Sequence, residues 1–204
     1  MDVVELDRIA VQEAARVVEL ARGGDDGDDR DWARDTPCAG WDLRRLVAHM
    51  TAQHHGFAAA ARGVGGESGY WREREEAVEP ARAHRAAAEA VLVAFAEPGA
   101  SEREFVLPEL GGGFTGRTAI GFHFVDYVVH AWDVAAALGV RLRLADEVCR
   151  AALAVARRVP TDPVGRGPGF AFALALKVPE GVAPLAETLR LLGREPEAWP
   201  GTGV

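Results

Sequence analysis

The sequence predicts a mainly α-helical protein: an up-and-down bundle of four long helices, with short extended segments at its periphery and a small C-terminal helix. Three observations predict it. Apolar residues recur at helical spacing in four long segments, Asp2 to about Arg22, Leu43 to about Arg62, Pro80 to about Ala96, and Thr118 to Leu138. Capping or breaking residues bound these segments. The chain has 204 residues and no internal repeat, which suits one domain with a full core. The whole chain, 1–204, is therefore read as a single domain, with a C-terminal extension from about residue 160.

The first helix carries a broad apolar stripe of Val3, Leu6, Ile9, Ala10, Ala14, Val17, Val18 and Leu20. The run Gly23–Asp29 ends it and reads as a solvated loop; it lacks the terminal glutamate of a calcium loop. Thr36–Asp42 is a turn in which Asp42 caps the second helix. Leu43, Leu46, Val47, Met50 and Phe57 mark its buried side, with His49 on the edge of that face. His54 continues the line of Val47, Met50 and Phe57, as a packing or pocket-lining residue and a reserve ligand, whereas His55 points to the surface.

A polar loop carrying Tyr70 and Trp71 leads to Pro80, which suits the first turn of the third helix. Ala88, Val91, Leu92 and Phe95 form its stripe, and His84, one turn earlier, is expected at the surface. Residues 104–117 read as extended and then flexible; their glycines lack the G-K-[ST] ending of a phosphate-binding loop. Thr118 is the expected N-cap of the fourth helix and Gly139 its stop. A further helix is expected over 145–159, a Pro- and Gly-rich loop over 160–169, a short strand or buried extended segment over 170–176, and a last helix over 183–193.

Composition excludes several function classes. A net charge of -8 argues against a nucleic-acid surface and against an anionic membrane. No apolar run approaches a bilayer span, and the acidic N-terminus does not read as a signal peptide. Cys38 and Cys149 form no C-x-x-C pattern, which suits a reducing cytoplasm. A homodimer is compatible with this composition.

The chemistry concentrates in the fourth helix. Asp126 and His130 are four apart and share a face, with His123 and Asp133 on the same stripe. Polar groups of this type in an apolar helix point to something that binds them, and a divalent ion is the natural candidate. One helix cannot close a site, and the chain offers His49 on the second helix as a third ligand. His123 and Asp133 are candidates to orient a ligand imidazole through a hydrogen bond. Three ligands of this type leave an open coordination position, as in catalytic zinc sites; iron accepts the same donor set. Cys38, before a helix start, reads first as a small packing residue. Arg82, Arg85 and Arg117 are candidate anion contacts. No catalytic residue is assigned.

Three stretches resemble a known family. Thr36-Pro37-Cys38-Ala39-Gly40-Trp41-Asp42 with Leu46-Val47-Ala48-His49, then Asp126-Tyr127-Val128-Val129-His130-Ala131-Trp132-Asp133, then Leu191-Leu192-Gly193-Arg194-Glu195-Pro196, resemble in order the signatures of the mycothiol-dependent maleylpyruvate isomerase-like proteins, within the DinB-like four-helix superfamily. The resemblance implies a DinB-like bundle with a divalent metal, zinc or else nickel or iron, on His49, Asp126 and His130. It also implies mycothiol as cosubstrate and a transferase or isomerase acting on a small electrophile, in the cytoplasm of an actinobacterium. The isomerase proper carries glutamate at the position of Asp126 and a longer C-terminal part, so its substrate is not carried over. A metal-containing binding protein without turnover and a hydrolase using metal-activated water are the competing readings.

Overall fold

The computed structural model describes residues 1–21, 29–74, 79–162, 166–167 and 172–199. Four long helices dominate: α1 (Val3–Leu20), α2 (Leu43–Ala61), α3 (Pro80–Phe95) and α4 (Gly116–Leu138). Their starts follow local chemistry. The Asp2 carboxylate accepts the Glu5 N–H and that of Asp42 accepts the Arg45 N–H, each at 2.8 Å. Such caps satisfy amide donors that the helix itself leaves unpaired, each contributing about 1 kcal/mol. Pro80 opens α3, and Gly139 closes α4 in the left-handed conformation.

The start of α4 departs from expectation. Thr118 lies inside the helix, and Thr115 occupies the N-cap position without a side-chain cap bond. The reason is tertiary: a Cβ at Gly116 would stand 1.9 Å from the Ala100 carbonyl oxygen. Only glycine lets the chain turn this close to its neighbour, so the helix begins there.

The four helices pack in a closed ring of contacts, α1 on α4, α4 on α2, α2 on α3 and α3 on α1. Consecutive helices α1 and α2 therefore face each other across the bundle. α4 is buried on nearly every side, with Phe124, Tyr127, Val128 and Trp132 enclosed. A helix apolar all round belongs at the centre, and α4 touches α1, α2 and the later helix α5 (Asp146–Ala156). A second apolar cluster, including Phe57, Val91, Phe95, Phe105 and Ile120, fills one end.

Peripheral elements complete the fold. β1 (Glu104–Leu107) and β2 (Gly112–Thr115) form an antiparallel hairpin. Gly112 and Gly113, expected in a flexible stretch, are thus in a paired strand. α5 ends at Ala156, short of the expected Val159, and packs on α6 (Pro184–Leu191). No strand forms over 172–176; Phe170 and Ala171 lie outside the described residues. Here backbone groups pair with other partners: the Leu176 N–H bonds the Arg190 carbonyl, and the Phe172 carbonyl accepts from Gly167. Leu174 is exposed, so this is not a buried segment. Of the acidic run after α1, residues 23–28 lie outside the described residues, and Asp29 opens a short 3-10 turn.

Candidate metal centre

α2 and α4 bring His49, Asp126 and His130 together, with ligand-type atoms all within 4.8 Å of one another. Asp126 and His130 lie one turn apart on α4, with Oδ1 and Nε2 separated by 3.4 Å. The His49 and His130 rings meet edge to face at 5.5 Å between centroids. Trp41, in the turn before α2, packs on His49 at 4.9 Å.

Both imidazoles are oriented from behind. His49 Nδ1 lies 2.9 Å from Glu73 Oε1, and His130 Nδ1 lies 3.0 Å from Asp133 Oδ2. An ionised carboxylate only accepts, so each Nδ1 carries a proton toward the carboxylate behind it, and Nε2 is the ring nitrogen left to face a ligand. This is the arrangement in which histidines hold metal ions: the donor nitrogen is free and a carboxylate fixes the tautomer.

Asp133 is itself held. The Arg194 guanidinium grips its carboxylate through two donors, Nε to Oδ1 at 3.3 Å and Nη2 to Oδ2 at 2.9 Å. The Cys38 thiol donates to Oδ2 at 3.2 Å, and Arg194 Nη2 also approaches the Cys38 sulfur at 3.2 Å. Burial disfavours the carboxylate, yet the charges of Arg194 and His130 bring the Asp133 pKa down to about 2. For His130, burial opposes the charged ring, but Asp126, Asp133 and Cys38 outweigh it and raise its pKa well above the ordinary value. The surrounding carboxylates thus favour the protonated ring, and an ion bound at Nε2 would have to displace that proton. Burial and then Asp133 push the Cys38 thiol up.

The three ligand-type residues line a cavity of about 980 Å³. Its walls include Trp41, Phe57, Trp71 and Phe172, with Arg117 and Arg158 among the cationic residues. Trp71 reaches α2 because position 56 is glycine; a Cβ there would lie 2.2 Å from the indole ring. The C-terminal segment, short as it is, contributes Phe172, Ala173 and Arg194 to the same cavity.

The other sequence candidates fall elsewhere. His123 Nδ1 meets Asp7 Oδ1 at 2.6 Å, and its Nε2 meets His54 Nδ1 at 3.2 Å. Its ring thus bonds neither His49 nor His130, and His54, the reserve ligand, joins it in a sealed cluster. His84, expected at the surface, is fully buried 5.0 Å from the His54 ring. The bundle explains this, because α3 packs its His84 face inward on α1 and α2. His55 is exposed as expected. Arg82 and Arg85 pair with Glu79 and Glu19; of the three arginine candidates, Arg117 alone lines the cavity. Glu73 and Arg194 were not legible as site residues. Glu73 sits in a polar loop, and Arg194 is one of many arginines, marked only by its place in the closing motif. Cys38 is more than a packing residue, since its thiol joins the Asp133 network.

Fold and site together define a class: a helical bundle whose imidazole and carboxylate cluster faces a cavity between the helices. The model of the mycothiol maleylpyruvate isomerase N-terminal domain family matches residues 12–135, and the chain belongs to that family. Two uncharacterized proteins of Mycobacterium tuberculosis, Rv0738 from strain H37Rv and MT0763 from strain CDC 1551, are each 33% identical to it over 166 residues. Each match covers 78% of this chain and 82% of the relative. No solved structure matches. Among the described residues, no helix is long and apolar enough to cross a membrane.

Proposed function

We propose that this protein is a metal-dependent enzyme of the transferase or isomerase type that uses a small thiol, mycothiol, on a small electrophilic substrate in the cytoplasm. The observation that carries the reading is the meeting of His49, Asp126 and His130 from two helices on the wall of a cavity large enough for a cosubstrate and a substrate. The family's description supports the thiol.

The donor set fits a divalent ion of the zinc type, with nickel or iron as alternatives. Two imidazoles and one carboxylate would hold it, and when bound it supplies the positive charge that favours a thiol's thiolate form. The chain's own residues do the positioning. Glu73 and Asp133 hold the two rings through Nδ1 and so leave Nε2 as the nitrogen that would meet the ion. Trp41, Phe57, Trp71 and Phe172 give the cavity apolar walls, which limit water around the reacting groups.

Metal analysis of the purified protein tests the first half. Wild type is expected to carry one ion per chain, and His49→Ala and His130→Ala to lose it on mild dialysis; undiminished metal in both variants would refute the ligand set. A cobalt-substituted wild type tests the second. Mycothiol should add a sulfur-to-cobalt charge-transfer band in the near ultraviolet, and its S-methyl derivative should not. No band at millimolar thiol, with cobalt bound, would end the thiol reading.

A further inference from the structure

His130 stands between two potential ligand sets. Its Nε2 faces Asp126, in the set shared with His49. Its Nδ1 faces Asp133, and Cys38, His130 and Asp133 also place ligand-type atoms within 4.8 Å of one another. A thiol, an imidazole and a carboxylate at that separation are, taken alone, a good site for zinc or cobalt. The two sets differ in one respect. The second already holds a cation: Arg194 Nη2 lies 2.9 Å from Asp133 Oδ2 and 3.2 Å from the Cys38 sulfur.

We propose that Arg194 is a positioning residue that commits His130 to the His49–Asp126 set, by filling the competing Cys38–His130–Asp133 set with its guanidinium. The inference rests on the metal reading above and deepens it. Arg194 is buried, with 7% of its surface exposed, and each of its three nitrogens has a partner: Nε and Nη2 on Asp133, Nη2 on Cys38 and Nη1 on the Leu192 carbonyl. Asp133 Oδ2 accepts from His130, from Arg194 and from the Cys38 thiol. The oxygen therefore has no lone pair left for an ion, and the His130 Nδ1 proton stays in place. The fork geometry of the guanidinium suits this task, because it spans a carboxylate and reaches a third group at once. Arg194 also lies beyond the stretch matched by the family's N-terminal-domain model, which ends at residue 135. The C-terminal segment thus supplies the group that keeps the cluster on α2 and α4 selective.

Cobalt loading in thiol-free buffer, followed by absorption, tests this. Wild type should bind one cobalt without a sulfur-to-cobalt band and lose it in His49→Ala. Arg194→Gln should show the band. In that background cobalt should survive His49→Ala and be lost on Cys38→Ser, the reverse of wild type. Cobalt bound by Arg194→Gln without the band, and still dependent on His49, would overturn the proposal and leave the metal reading standing. If wild type binds no cobalt at all, the metal reading fails with it. A separate measurement avoids the Arg194 variant, should that variant not fold. Cys38→Ser in the otherwise wild-type chain should leave the cobalt spectrum unchanged, and a changed spectrum would place Cys38 among the ligands and overturn the proposal.

Discussion

Helices α2 and α4 carry two imidazole clusters built from almost the same parts. At one level stand His49, His130 and Asp126; at the other, His54, His123 and the α1 residue Asp7, with His84 beside them. The first lines a cavity, and the second is sealed: Asp7, His54, His84 and His123 have no exposed surface. The decisive difference is where the ring nitrogens point. In the open cluster, Glu73 and Asp133 take the two Nδ1 positions from behind and leave Nε2 facing inward. In the sealed cluster the rings spend nitrogens on each other, as His123 Nε2 meets His54 Nδ1 and Tyr127 stacks on His54 at 4.0 Å. Residue type at helical spacing is common to both. Orientation by outside carboxylates, and access to a cavity, belong to one.

Substitutions should separate the two clusters, and the largest effect is expected in the sealed one. Asp7→Ala removes the carboxylate that bonds His123 and leaves a buried imidazole without its partner. A loss of about 3–5 kcal/mol in urea unfolding is expected, as for a broken buried pair. Metal content should stay at the wild-type level in the fraction that remains folded. A metal loss equal to that of His130→Ala would show that the two clusters are one functional unit.

In the open cluster, Asp133→Asn should weaken metal affinity by about 10–100-fold, since the amide no longer fixes the His130 tautomer. Glu73→Gln should have a similar but smaller effect, about tenfold, with stability changed by less than about 1 kcal/mol because Glu73 is partly exposed. Competition with a chromophoric chelator measures both. Equal affinities in wild type and Asp133→Asn would remove orientation by Asp133 from the account.

The sealed cluster also predicts a pH dependence of stability. Burial lowers the His84 pKa to about 3 and holds His54 well below its ordinary value. Among the described residues, neither ring nitrogen of His84 has a hydrogen-bond partner. Both groups are neutral in the folded protein, so below about pH 6.5 the unfolded chain binds the extra protons. His84 therefore contributes stability that is full above that pH and falls as pH drops from about 6.5 toward 3, by about 1.4 kcal/mol per unit, and His54 acts in the same direction. His84→Phe should reduce the slope by one proton's worth. An unchanged slope would mean that His84 takes up its proton while folded. The smallest effect belongs to His55→Ala, at an exposed site outside both clusters, which should change stability by less than about 0.5 kcal/mol.

The sequence by itself determined the four long helices and most of their ends, because apolar spacing and caps such as Asp2, Asp42, Pro80 and Gly139 act locally. It also paired Asp126 with His130, since a carboxylate and an imidazole four apart must share a helix face. Asp133 was legible for the same reason. The sequence offered His49 on another helix as a partner, but their meeting was decided by the packing of α2 on α4. Tertiary structure alone decided the rest. His123 shares the stripe of His130, yet seven residues carry it two turns along the helix into a different layer of the bundle, where Asp7 arrives from α1. His84 is buried because α3 turns that face toward α1 and α2. Arg194, far along the chain from Cys38 and Asp133, meets both only when the C-terminal segment folds back over the cavity. Periodicity reports which residues share a face of one helix. It carries no information on which other element that face will meet, and the chemistry of this site depends on that meeting.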